Sequence, residues 1–294
     1  MSKPPFDEWA KAHRARVETA LVRWTPTVEL PSGHLVSAMR YSALGGGKRL
    51  RALLAYASAE AIGITAELAD HAAVAVEMIH TYSLIHDDLP CMDNDAMRRG
   101  KPTNHVAYGE ATAMLAGDAL QPLAFAVLLA APAHAVGVVA ATHELAEASG
   151  AYGMAGGQAI DLANVGRSMT LPALQEMHAM KTGAMFEAAI IIPALLAEED
   201  SRTVTALTQY AQKIGLAFQV VDDVLDATAD TATLGKTAGK DAANDKPTFA
   251  SLMGIAFATA YAARLTEEAI TALPEQLDAQ RLTELARAMA IRNA

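Results

Sequence analysis

Apolar residues recur at spacings of three and four along almost the whole chain, and no stretch of strand length alternates strictly between apolar and polar. That period lays apolar groups on one face of an α-helix and not on a pleated strand, so it confines these 294 residues to an all-α architecture. Composition agrees. Hydrophobic residues make up 52% but aromatics only 5%, so the apolar share is mostly Ala, Leu, Val, Ile and Met, and Ala and Leu favour helix. The spacing predicts helices over 6–24, 32–42, 48–61, 66–89, 110–130, 135–150, 152–163, 172–197, 201–228, 247–270 and 275–291. Breakers fall between them at Gly45-Gly46-Gly47, Gly63, Gly100-Lys101-Pro102, Gly166 and Thr233-Leu234-Gly235. No linker, low-complexity tract or fixed-period repeat interrupts the pattern, and 1–294 reads as one all-α domain, long enough to afford a large internal cavity.

The formal net charge of -10 argues against nucleic acid or an anionic membrane as a partner, because both require a basic face. Cys91 is the one cysteine, so an internal disulfide is impossible and a cytoplasmic setting is expected. Residues Met1 to Glu18 alternate charged and apolar groups and lack the core of a signal peptide. From Ala119 to His143 there is no Asp, Glu, Lys or Arg, a length that spans a bilayer on paper. Pro122, Pro132, His134 and Gly137 interrupt it, and Pro132-Ala133-His134 reads as the break between two buried helices.

Two acidic clusters sit in strongly apolar surroundings: Asp87-Asp88 with Asp93, and Asp222-Asp223 with Asp226. On a helix Asp222 and Asp226 project from one face, with Asp223 beside them and Phe218 and Gln219 one turn earlier. Carboxylates so close repel, and a divalent cation bound through oxygen relieves the repulsion; where it also bridges phosphate, Mg²⁺ is favoured. Asp87 and Asp93 stand about 120° apart on an ideal helix, so they converge only if the helix ends between them, near Pro90. Cations bracket both clusters: Lys48, Arg49 and Arg51 after the triple glycine, Arg98 and Arg99, Lys181-Thr182-Gly183, and Lys236 with Lys240. Gly45 to Lys48 is not a P-loop, since position 42 is Ser and Arg49 follows the lysine. Such a distribution suits a diphosphate held between metal and basic side chains.

The stretch MIHTYSLIHDDLPCMDNDAMRRGKPTN at 78–104 resembles the first aspartate-rich region of the polyprenyl synthetase family, and GLAFQVVDDVLDATADTATLGKTAGKD at 215–241 resembles its second. GGGKRLR at 45–51, GDAL at 117–120, GQAIDL at 157–162 and MHAMKTGAMF at 177–186 also match, in order. The two-residue insertion in the first acidic motif is similar to that of bacterial farnesyl and plastid-type geranylgeranyl synthases. Two departures, Ala52 for a usual Pro and Ala96 for an Asp, fall where neither metal nor phosphate is expected.

The resemblance implies an isoprenoid-synthase helical bundle that joins an allylic diphosphate to isopentenyl diphosphate, with farnesyl diphosphate as the expected product. It implies that Asp87, Asp93 and Asp222 hold Mg²⁺ with Asp88, Asp223 and Asp226 in support. Arg98, Lys181, Thr182, Gln219 and Lys236 would grip the allylic diphosphate, with Arg98, Lys181 and Lys236 stabilising its departure. Lys48, Arg51, His80 and Arg99 would bind isopentenyl diphosphate. Tyr82 and Ser83, one turn before the first acidic motif, would set product length, and the active form would be a homodimer. The rivals are a geranylgeranyl or geranyl synthase, a terpene cyclase, which would lack GGGKRLR, and a non-catalytic partner subunit, which would tend to lose one acidic cluster.

Overall fold

The computed structural model describes residues 3–228 and 247–290. Fourteen α-helices run through them: α1 Phe6–Trp24, α2 Gly33–Ala43, α3 Leu50–Ala61, α4 Ala66–Asp87, α5 Asn104–Tyr108, α6 Glu110–Leu129 and α7 Ala135–Ser149. There follow α8 Met154–Ala163, α9 Leu171–His178, α10 Ala184–Leu196, α11 Ser201–Thr228, α12 Phe249–Met253, α13 Ile255–Ala272 and α14 Gln280–Ala290. The extended pairing among the described residues is one two-residue hairpin, β1 Met97–Arg98 against β2 Lys101–Pro102.

Helix α4 lies at the centre, packed against α3, α6 and α10, while α10 also meets α7 and α11, and α11 runs against α13. Along α4 the residues Ala69, Ala72, Ala73, Val74, Ala75 and Val76 are all fully buried. Small side chains let helix axes approach closely, which is how a chain this poor in aromatics fills its interior. Polar latches tie the layers: Ser58 Oγ donates to the Ile190 carbonyl at 2.6 Å and Tyr210 Oη to the Leu282 carbonyl at 2.7 Å. Helix starts carry the expected caps, with Thr65 accepting from Leu68, Thr170 from Ala173 and Thr248 forming a capping box with Ser251.

The helices follow the apolar spacing, with five informative differences. α4 stops at Asp87 rather than continuing to 89, and α3 starts at Leu50 because Gly46, Gly47 and Arg49 all have positive φ. The segment expected as one helix over 172–197 carries a π-helical turn at Ala179–Gly183. The segment expected over 247–270 is split at Gly254, whose φ is 80°. Finally, α14 begins at Gln280, since 274–279 form turns in which the Asp278 amide donates to the Ala61 carbonyl. Pro122 lies inside α6 and Gly137 inside α7, so neither interrupts; the chain breaks between Leu129 and Ala135, round Pro132-Ala133-His134. By length and composition α6 and Leu171–Leu196 could each cross a membrane, but 61% of the latter's apolar window is buried within the protein and 39% of the former's.

Candidate active site

A cavity of ≈ 400 Å³ opens beside the C-terminal half of α4. His80, Tyr82, Ser83, Leu84, His86 and Asp87 line it from α4 and Arg51 from α3. Met154, Gln158 and Leu162 of α8 and Lys181-Thr182 of the π turn face them. His80 and Asp87 both reach the cavity, as two turns of helix require.

Helix α4 ends where the first acidic cluster begins. The Asp88 amide still bonds to the Leu84 carbonyl, but the Asp93 amide folds back to the Asp87 carbonyl at 2.8 Å. The helix therefore closes before Pro90, and the loop brings residue 93 back over residue 87. Burial raises the Asp87 carboxyl to about 6, Lys181 draws it down, and Asp93 and Asp88 push it up. Asp88 is directed elsewhere. Its buried carboxylate takes three contacts from Arg98, the closest at 2.6 Å, and neither residue lines the cavity. The expectation that Arg98 reaches the allylic side meets a guanidinium already paired with Asp88.

Within GGGKRLR the three cations separate. Arg49 is buried with φ 49°, bonding to Glu18 at 2.7 Å, to Glu77 at 3.2 Å and to the Ala43 carbonyl at 2.6 Å. Lys48 is exposed, and the Arg51 guanidinium lies over the Phe186 ring at 5.3 Å on the cavity wall. Arg99 comes over the triple glycine and donates to the Gly46 carbonyl. A Cβ on Gly47, whose φ is +134°, would meet the Arg99 guanidinium at 2.8 Å, so only glycine fits there without displacing the arginine. Burial and the charges of Arg51, Arg99, Arg98 and Arg49 hold the His80 imidazole well below its usual range.

The opposite wall depends on the π turn. It interrupts an otherwise continuous helix at Met180-Lys181-Thr182, re-aiming these side chains as such insertions do at functional sites. Lys181 Nζ donates to Asp161 Oδ2 at 2.7 Å, and Gly157 lets the Lys181 backbone approach to where a Cβ would stand at 2.2 Å. Thr182 Oγ1 donates to Gln219 Oε1 at 3.1 Å, and Gln219 in turn donates to Asp223 at 3.1 Å. Asp223 is buried and accepts from the Phe249 amide at 2.8 Å, fixing the start of α12 on α11. Asp222 is half-buried; Asp226 is buried, and its Oδ1 has no hydrogen-bond partner among the described residues. Lys236 and Lys240 lie outside the described residues.

Among the described residues no three carboxylate, imidazole or thiol groups stand close enough to cage a metal by themselves. The donors fit an ion that keeps several waters and takes substrate phosphate oxygens, the habit of Mg²⁺. Asp226 Oδ1, buried with no hydrogen-bond partner there, suits a hydrated cation at the second cluster.

Tyr82 is buried and meets His86 edge-on at 5.7 Å. His86 Nε2 reaches the Met114 carbonyl at 3.0 Å across Gly117 of α6. His86, Gln158, Asp161 and Met154 carry no role that the sequence alone reveals; GQAIDL is visible as a motif, but nothing in it separates wall from surface.

Residues 32–289 match the polyprenyl synthetase family. The farnesyl diphosphate synthase of Escherichia coli is 45% identical over 296 residues, covering 98% of this chain and 99% of its own. A chloroplastic geranylgeranyl pyrophosphate synthase of Capsicum annuum is 49% identical over 238 residues, covering 79% of this chain and 64% of its own. The geranyltransferase of Helicobacter pylori, solved with magnesium and isoprenyl diphosphate, superposes with a TM-score of 0.85 at 33% identity, covering 98% of this chain and 97% of its own. The chain belongs to the polyprenyl synthetase family. It is accordingly an enzyme, a prenyltransferase with the all-α fold of the isoprenyl diphosphate synthases.

Proposed function

We propose that the protein condenses isopentenyl diphosphate with dimethylallyl and then geranyl diphosphate, releasing farnesyl diphosphate and diphosphate. The carrying observation is one cavity that joins Arg51, His80, Asp87, Lys181 and Thr182 to the apolar surfaces of Tyr82, Met154 and Leu162. Few substrates other than a diphosphate on a hydrocarbon tail need both. The allylic C–O bond breaks, its electron pair leaves with diphosphate, and the isopentenyl double bond supplies the electrons of the new C–C bond. The proton lost from the isopentenyl unit passes to the released diphosphate.

Asp87, Asp93 and Asp222 are the proposed Mg²⁺ ligands, with Asp226 beside them and Asp88 and Asp223 positioning the motifs through Arg98 and the Phe249 amide. Bound Mg²⁺ would neutralise charge building on the leaving diphosphate. Lys181, Thr182 and Gln219 orient the same group, with Lys236 assigned there by resemblance. Lys48, Arg51, Arg99 and His80 bind isopentenyl diphosphate. The apolar wall keeps water from the allylic cation.

Tyr82, braced by His86, is the proposed floor that stops growth at fifteen carbons, with Ser83 at its edge. A twenty-carbon product is the second reading, favoured by the likeness to the Capsicum annuum synthase. The whole chain would work as one catalytic domain, since its buried apolar cluster draws on helices from α1 to α14. We assign it to the cytoplasm as a homodimer acting on soluble diphosphates. Incorporation of labelled isopentenyl diphosphate into acid-labile product tests the reaction. It should require Mg²⁺ and stop in excess chelator; full incorporation with chelator present would exclude the metal roles given.

A further inference from the structure

We propose that Gln158 is a substrate-positioning residue whose carboxamide closes hydrogen bonds to the diphosphate head of the allylic substrate and to water held on that head; this rests on the reading under Proposed function. Gln158 lines the cavity with Arg51, Asp87, Lys181 and Thr182. Its Nε2 and Oε1 are both buried, and neither has a hydrogen-bond partner among the described residues. An amide left so destabilises the fold, and a leucine or methionine of similar volume would pack there without that penalty. The carboxamide is therefore matched to a partner that the described residues do not supply.

Its position says what. Asp161 follows one turn later on the same face of α8, and it is this buried carboxylate that holds Lys181 Nζ. The amide thus sits beside the cation that grips the diphosphate. A prenyl tail offers neither donor nor acceptor, whereas a non-bridging phosphate oxygen accepts from Nε2 and a water bound to the head group donates to Oε1. The head group is the occupant that satisfies both atoms.

The test uses Gln158→Leu and Gln158→Met in the full chain, with geranyl S-thiolodiphosphate and Mg²⁺ as the unreactive probe. Affinity for the probe should fall about tenfold or more in both variants, the loss of a hydrogen bond to a charged group. The KM for geranyl diphosphate should rise in step, with kcat and the KM for isopentenyl diphosphate changing less than about threefold. The ligand-free variants should melt at or above the wild-type temperature, because an unsatisfied amide is gone. Probe affinity within twofold of wild type would overturn the assignment, as would a lower melting temperature in both variants, which marks a structural amide. Should the wild type itself neither bind the probe nor turn over, the reading of the whole site fails and this one with it. A wild type that binds normally beside variants that bind equally well removes only the role of Gln158.

Discussion

Gly47 and Arg99 act as one unit, because the guanidinium occupies the space that any side chain at 47 would need. Gly47→Ala should therefore mimic Arg99→Ala. Each is expected to raise the KM for isopentenyl diphosphate about tenfold or more while leaving the allylic KM within about twofold, read from separate Michaelis curves. An allylic defect in either would reverse the assignment of the two subsites. Asp87 combines burial with carboxylate neighbours, so Asp87→Asn should abolish most turnover yet raise the melting temperature of the metal-free protein by a few degrees. Calorimetry beside an activity assay reads both, and a destabilised Asp87→Asn would contradict the metal role. The acidic clusters were legible in the sequence because carboxylates in apolar surroundings demand an external partner. Gln158 and Asp161 were not, since an isolated polar residue on a helix has the same pattern whether it faces solvent or a cavity. Nor does sequence separate Arg49 from Arg51; only the left-handed turn at 49 sends one into the core and leaves the other on the cavity wall.

The turn that starts α3 is built on Arg49, Glu77 and Glu18. Arg49→Ala would leave the buried Glu77 carboxylate without its guanidinium, at a cost of about 3–5 kcal/mol measured by denaturant unfolding. A loss below about 1 kcal/mol would mean that water replaces the pair. On α4, Tyr82→Ala should open space below Asp87 and lengthen the product beyond fifteen carbons, each further buried methylene gaining about 0.8 kcal/mol. Unchanged product length would move the floor to His86 or α6. The helices themselves were legible from the 3.6-residue period, since packing of their apolar faces decides where they run. Their ends were less so. The split at Gly254, the π turn at Ala179–Gly183 and the hairpin of β1 and β2 arise from local geometry that periodicity does not encode.

Over the whole molecule, α6 and α7 each leave apolar residues uncovered, with Asp118 exposed among those of α6. Leu115, Pro122, Ala126 and Leu129 line up on one side of α6 and are exposed, and Val136 and Val139 of α7 are 62% and 65% exposed. This is the face proposed for a second copy of the chain. Leu129→Asp with Val139→Asp should convert a dimer to monomer by light scattering at micromolar concentration, and a wild type that is already monomeric would remove the claim. The sequence shows that 119–143 lacks charge, but an apolar helix has the same pattern in a core and at an interface. At the same scale lies the central claim, that the chain adds two isopentenyl units to dimethylallyl diphosphate and stops at fifteen carbons. The most direct measurement is chromatography of the dephosphorylated products after incubating the wild type with isopentenyl diphosphate, dimethylallyl diphosphate and Mg²⁺. The account predicts the fifteen-carbon alcohol as the main product. A twenty-carbon main product would contradict the floor assigned to Tyr82, and the absence of any elongated product would contradict the function itself.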